Sequence, residues 1–266
     1  MKKIAAIVVT LCIMFFGVEW VYAQPLQRHT FEIGTEIYYK YYDEPDVMQE
    51  SGMMYGLVGS YTYHNKLMFK LEGRGSWGQM YYSNSGNIKG INDYLLEARA
   101  LAGYDFLILE VHSITPYLGF GYRYLNDDSS GRISTTDARG YERESNYFYS
   151  PIGIEAIANL GKTLSLREVI EFDYFWMGIQ KSHLSDAVIG LNDIKNQQNK
   201  GYGLRGSITL HITGKKIDFE IGPFIRYWSI EKSETETITY FGTPYAFGYE
   251  PTNYSVEAGI MGSIKF

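Results

Sequence analysis

The chain has 266 residues, a formal charge of −6 and 45% hydrophobic residues. Its mean hydropathy of −0.21 and pI near 5.4 exclude a bundle of transmembrane helices, each needing about 20 consecutive apolar residues, and a basic nucleic-acid-binding face. With 25 Tyr, 28 Gly, 7 Pro and a single Cys, the composition points to many strands and no disulfide framework.

The first element is a targeting signal. Lys2 and Lys3 precede an apolar run from Ile4 to Gly17, and Val21-Tyr22-Ala23 offers the small-x-small pattern of a signal-peptidase site. Residues 1–23 are therefore expected to be a cleaved signal peptide, with 24–266 as a single β-barrel domain. Cys12 lies inside the signal and follows Leu11, which does not suit lipoprotein processing. The mature chain then has no cysteine nucleophile and no thiolate metal site.

Period-two alternation, the signature of a strand, then recurs along the chain. Phe31, Ile33, Ile37, Tyr39 and Tyr41 alternate with Glu32, Glu36 and Lys40. Similar segments start at Tyr55, Leu67, Tyr94 and Leu118, followed by approximately 146–158, 164–177, 201–213 and 217–230. The last is the clearest: Tyr254, Val256, Ala258, Ile260, Ile264 and Phe266 share one phase, opposite Ser255, Glu257, Ser263 and Lys265. Ten strands are predicted, with eight or twelve as alternatives.

The connections alternate in length. Short turns fall at 64–66, 159–162 and 213–216, and long polar segments at 43–51, 83–92, 126–145, 178–199 and 231–252. Asp105 to Ile114 fits poorly, being either an extension of the flanking strands or a small helix. An up-and-down antiparallel transmembrane barrel accounts for this parity, because a sheet in lipid must close on itself. Short turns then face the periplasm and long loops the exterior. Tyr41, Tyr42, Trp77, Tyr81, Tyr82, Tyr124, Tyr147, Trp176 and Trp228 are expected in interfacial girdles.

The signal, the alternation and the terminal Tyr254-to-Phe266 strand resemble the small, porin-like outer-membrane β-barrel superfamily of Gram-negative bacteria. Segments 116–124 and 201–205 share the likeness. The resemblance implies an outer-membrane location, with lipid, lipopolysaccharide and the export and barrel-assembly machinery as partners. It also implies that Phe266, with Ile264 and Tyr254, forms the C-terminal signal read during assembly.

The inward phase carries charge of both signs. Its carboxylates are Glu32, Glu36, Glu72, Glu97, Glu155, Glu171, Asp173, Glu220 and Glu257. Its cations are Lys40, Lys70, Arg74, Arg99, Arg123, Arg167, Arg205, Arg226 and Lys265. Equal numbers suggest a paired salt-bridge network filling a narrow lumen, with a narrow ion path as the alternative. Glu168 shares a phase with Leu166 and Ile170, which requires either a bulge or a position at the membrane edge.

Catalytic patterns are incomplete. Asp127 and Asp128, with His183 and Asp186, supply the residue types of the omptin proteases, but an Asp-x-His at a strand end is absent. His183-Leu184-Ser185 resembles the His-x-Ser of outer-membrane lipid A deacylases, without an acid assignable from spacing. His29, His64, His112 and His211 lack metal-ligand spacing, and no cofactor is indicated. The expected function is a non-enzymatic structural or surface-interaction role through the outer loops, where an extracellular ligand is one expected partner. Small-solute permeation is the alternative, and a barrel-mouth hydrolase the third reading.

Overall fold

The computed structural model describes residues 26–108 and 112–266, so the signal segment lies outside the described residues. The strands in chain order are β1 (His29–Glu44), β2 (Met48–Asn65), β3 (Leu67–Ser83), β4 (Ile88–Tyr104), β5 (Phe106–Ile108), β6 (His112–Asp128) and β7 (Glu142–Asn159). They continue as β8 (Leu164–Ser182), β9 (Ile194–Gln198), β10 (Gly201–Ile212), β11 (Asp218–Ile230), β12 (Glu236–Tyr240), β13 (Thr243–Gly248) and β14 (Asn253–Lys265).

Ten of these are the staves of a closed antiparallel barrel: β1–β4, β6–β8, β10, β11 and β14. Each pairs with its neighbour in sequence, β14 pairs with β1, and the lower half of β8 pairs with β10 to complete the ring. The closing seam runs to the last residue, where Phe31 and Phe266 exchange both backbone hydrogen bonds (2.8 and 3.0 Å). Closure leaves no unpaired edge, which is what a sheet in hydrocarbon requires.

The two faces follow the alternation. Outward positions carry large apolar side chains left in the open, among them Leu118 (65% exposed) and Ile170 (63%), together with Ile33, Leu57, Leu71, Phe219 and Ile260. A belt of this kind around a whole molecule is a lipid-facing surface, not a soluble one. Outward aromatics mark its loop-end border, where Tyr55, Trp77 and Tyr94 sit side by side on β2, β3 and β4. The staves run from 12 to 19 residues, beyond the roughly 9–11 needed to cross, so their loop ends project past the belt.

That projection changes the connections. The first connection, expected as a long loop over 43–51, is a tight turn after Glu44 with Asp46 at φ 64°, because β1 and β2 stay paired up to Glu44 and Met48. Above lipid the outer strand face meets water, so pairing continues without apolar alternation. At the other end, the described residues of the connection expected over Asp105 to Ile114 extend the strands: Phe106, Leu107 and Ile108 of β5 pair with Ile114, Ser113 and His112.

Two bulges adjust the ring. Gly90, at φ +69°, is the extra residue of β4 opposite Met80 and Tyr81, a backbone position suited to glycine. Trp176 is the extra residue of β8 between Phe175 and Met177. Glu168 has no bulge; it pairs in register with Ala156 and Ile208, facing outward toward the short-turn end.

Four aromatics expected in the girdles face inward instead, among them Tyr82, which pairs with Glu50 and packs against the cluster of Tyr38, Met54 and Met80. Tyr147 and Trp228 are buried in the lumen beside Phe175 and Tyr149, and Tyr42 points into the mouth, where its hydroxyl meets Glu44 and Glu250. Aromatic residues suit either face of a strand, so composition alone could not place them.

Candidate functional site

The lumen is filled by ion pairs in three levels. Nearest the short turns, Arg167 contacts Glu155 (2.6 Å), Glu220 (3.3 Å) and Glu32 (3.8 Å), Lys265 also pairs with Glu220, and Lys70 meets Glu72 at 2.7 Å. In the middle, Arg74 bridges Glu97 (2.6 Å), Glu257 (3.0 Å) and Glu36 (3.1 Å), and Arg226 meets Glu36 (2.8 Å) and Glu257 (3.2 Å). Arg205 joins Glu97 (2.6 Å) to Asp173 (2.7 Å), while Arg99 joins Glu171 to Glu72, both at 2.6 Å. Above them Arg123 reaches Glu257 at 2.6 Å.

All eighteen charges assigned to the inward phase therefore lie in the lumen with an opposite partner. Lys40 pairs with Asp93 (2.5 Å), which sequence reasoning missed, although Asp93 shares the inward phase of β4 with Glu97 and Arg99. Inward tyrosines complete the web: Tyr149 donates to Glu97 (2.6 Å), Tyr117 to Glu171 (2.7 Å), and Tyr38 meets Ser76 (2.5 Å). Such a network is tolerable away from water because each charge meets an opposite one.

The filling leaves two separate cavities. One of about 150 Å³ lies toward the short turns among Lys70, Arg99, Arg167 and Arg226; another of about 40 Å³ lies under the loops among Lys40, Asp93, Asp127 and Trp228. Between them stand Tyr38, Arg123, Tyr149 and Glu257, each no more than 1% exposed. A few ordered waters fit in these spaces.

At the loop-end mouth, Arg143 gathers carboxylates from three strands: Asp127 (2.8 Å), Glu44 (2.9 Å) and Glu50 (3.5 Å). Beside it, His183 lies between Glu144 (2.9 Å) and Asp193 (3.2 Å). Partial burial works against a charged imidazole, but the hydrogen bonds to Glu144 and Asp193 outweigh it and raise the His183 pKa.

These contacts occupy the groups weighed for catalysis. Ser185 Oγ donates to Asp193 (2.8 Å), with no hydrogen bond to His183 among those described. Asp128 accepts from the amide (3.0 Å) and hydroxyl (2.6 Å) of Ser130, as a turn former does, and Asp186 accepts from the Glu142 amide (3.2 Å). Among the described residues, no cluster of three or more His, Cys, Asp or Glu is arranged to hold a metal.

The two longest outer connections form one platform. Residues 183–193, which include a single helical turn at Leu184–Ala187, are tied to the β12–β13 hairpin. Asn192 Oδ1 accepts from the Thr239 amide (2.5 Å), Leu191 bridges Tyr240, and the Phe241 amide donates to the Gly190 carbonyl (2.8 Å). The platform presents Ile189, Phe241, Tyr245 and Phe247, each more than 70% exposed.

The C-terminal residues of the terminal-signal motif line the outer wall. Phe266 stacks on Phe31 (6.0 Å), Tyr254 on Tyr227 (6.4 Å), and Ile264 pairs with Ile33.

The fold is thus a closed, ten-stranded transmembrane β-barrel with a salt-bridged lumen. The sequence matches no protein-family model and no curated protein. Several solved barrels are similar over most of their length. The translocator domain of the autotransporter NalP from Neisseria meningitidis is 8% identical, with 99% of this chain and 96% of that one covered and a TM-score of 0.41. The Ralstonia pickettii toluene transporter TbuX is 7% identical (91% and 90% covered, TM-score 0.38), and Neisserial surface protein A is 15% identical (89% and 97%, TM-score 0.31).

Proposed function

We propose that the protein is a non-enzymatic outer-membrane barrel, exported by its N-terminal signal, whose sealed lumen holds a loop platform at the cell surface for contact with a partner. The long-loop end then faces outward, among lipopolysaccharide, and the short turns face the periplasm. The observation that carries this reading is the layer of Tyr38, Arg123, Tyr149 and Glu257, which separates the two cavities with no exposed atom of consequence. Rigid staves with balanced internal charge support loops without needing a pore. The exposed Phe241, Tyr245 and Phe247 supply the apolar surface that partner binding uses.

A second reading, narrow-pore permeation, is favoured by the two cavities lying on either side of a partition only one layer thick. Single-channel recording of the chain refolded in lipid separates the two. A silent bilayer supports the platform reading, and reproducible current steps replace it with permeation.

A further inference from the structure

The loop-end mouth holds more carboxyl groups than its cations can neutralise. Glu44 on β1, Glu50 on β2, Asp93 on β4, Asp127 on β6 and Glu250 just before β14 converge there, all but Asp127 at least 94% buried. Lys40 is occupied by Asp93, which leaves Arg143 among the other four. Arg143 ion-pairs with three of them. Glu250 has no ion pair among the described residues; its Oε1 accepts from the Tyr42 hydroxyl at 3.1 Å, while the same hydroxyl donates to Glu44 at 2.8 Å. One hydroxyl hydrogen cannot satisfy two abutting carboxylates, so a second proton is needed between Glu44 and Glu250.

Glu250 is also where the loop over 231–252 is drawn together. Its amide donates to Ser233 Oγ (2.8 Å), and the Ser233 amide donates to the Glu250 carbonyl (3.0 Å). The two arms of the loop meet at this point, above the 40 Å³ cavity and below the β12–β13 hairpin with its exposed aromatics.

We propose that Glu250 is a proton-held latch: as the neutral acid it docks against Glu44 and Tyr42 and fixes the β12–β13 loop over the barrel mouth, and as the carboxylate it is expelled and the loop base opens. The groups facing it are Tyr42 and Glu44 on β1, Tyr147 and Arg143 on β7, and Tyr141 before β7, with Glu50 and Asp127 behind Arg143. Burial first, and then the adjacent Glu44, push the Glu250 carboxyl up to about 8. Burial and the abutting Asp127 raise Glu50 in the same direction.

An undocked Glu250 titrates near its ordinary value of 4.5. Docking is therefore fully favoured below that pH, weakens as pH rises above it, and has lost its proton-linked advantage once pH passes about 8. One proton limits the dependence to about tenfold per pH unit. The latch sets whether the platform is held or loose, and it stands on loop geometry whether or not the barrel conducts.

Hydrogen exchange of the refolded mature chain in micelles, followed by mass spectrometry from pH 5 to 9 and corrected for intrinsic exchange, tests this. Protection of the Ser233 and Glu250 amides should fall with rising pH in the native protein, by up to about tenfold per unit. Glu250→Gln, which keeps a donor toward Glu44 but cannot ionise, should stay protected throughout. Glu44→Gln removes a repulsion that raises Glu250, so the fall in protection should be smaller and end at a lower pH than in the native protein; heat-modifiable gel migration verifies that each variant folds. Equal native protection at pH 6 and pH 9 would overturn the latch, as would a Glu250→Gln profile identical to the native one. Because the readout is loop protection, current steps from the same preparation would overturn the sealed-barrel reading alone.

Discussion

Arg123 on β6 and Trp228 on β11 meet across the barrel, with the guanidinium carbon 5.3 Å from the indole centroid and neither residue more than 2% exposed. Glu257 holds the same guanidinium at 2.6 Å, and Tyr149 packs edge-on to the indole at 5.0 Å. A desolvated cation over an aromatic face, anchored by a carboxylate, is a rigid obstruction. It stands between the two cavities, beside Tyr38 and Tyr149.

Removing that obstruction should open the barrel. Arg123→Ala combined with Trp228→Ala joins the two cavities, while Glu257 keeps Arg74 and Arg226 as partners. The double variant is expected to give current steps in a bilayer that is silent with the native chain. Loss of the buried indole alone should destabilise the barrel by about 3–5 kcal/mol, read from its urea midpoint. A silent double variant would place the seal elsewhere in the network.

Gly121 is required by Tyr149. A Cβ built on Gly121 falls 2.2 Å from Tyr149 Cζ, inside the ring's own volume. Gly121→Ala must displace the ring and break its hydroxyl bond to Glu97, and is expected to cost about 1–3 kcal/mol. Gly73, where a Cβ meets nothing within 4 Å, provides the control: Gly73→Ala should leave the unfolding midpoint nearly unchanged.

The His183 contact has a pH optimum. Its raised pKa means that the imidazolium's contribution is fully present below the ordinary value of 6.5 and is lost as pH rises through the raised value. Glu144 is lowered because burial is outweighed by hydrogen bonds from His183, Lys181 and Tyr124, and Asp193 because burial is outweighed by those from Ser185 and His183. The carboxylates' contribution is therefore present above their ordinary values of 4.5 and 3.8 and is lost in stronger acid. Proteolysis of residues 183–193 should be slowest between about pH 5 and 6.5. His183→Ala should abolish the alkaline limb of that profile.

Phe241 occupies a strained position at an exposed tip. It is the first residue of the two-residue turn between β12 and β13 and sits at φ 45°, followed by Gly242 at φ 81°. Such turns favour Asn or Gly at both positions, and a bulky residue there costs about 1 kcal/mol. Phe241→Asn should slow hydrogen exchange in the hairpin. If the exposed aromatics bind a partner, the same change should weaken that binding, so strain and function would separate in one variant.

Much of the barrel was legible before the tertiary structure. The phase of Tyr254, Val256, Ala258 and Ile260 against Ser255 and Glu257 identifies the lipid and lumen faces of β14, because hydrocarbon tolerates charge on one side only. The same constraint made the inward charges readable one by one. It weakened above the membrane, where Glu44, Gln49 and Glu50 remain in strands whose outer face no longer needs apolar side chains, and there an extended hairpin reads as a loop.

By itself, the sequence determined the inward placement of eighteen charged residues, since period-two alternation is a local property of the backbone in a membrane. Only the tertiary structure decided which charge meets which. Arg74 finds Glu257 across 183 positions of chain, and Arg123 closes the lumen against Trp228, because barrel closure and strand stagger set those distances. Neither closure nor stagger is written in any one strand; both arise when β14 pairs with β1 and β8 with β10.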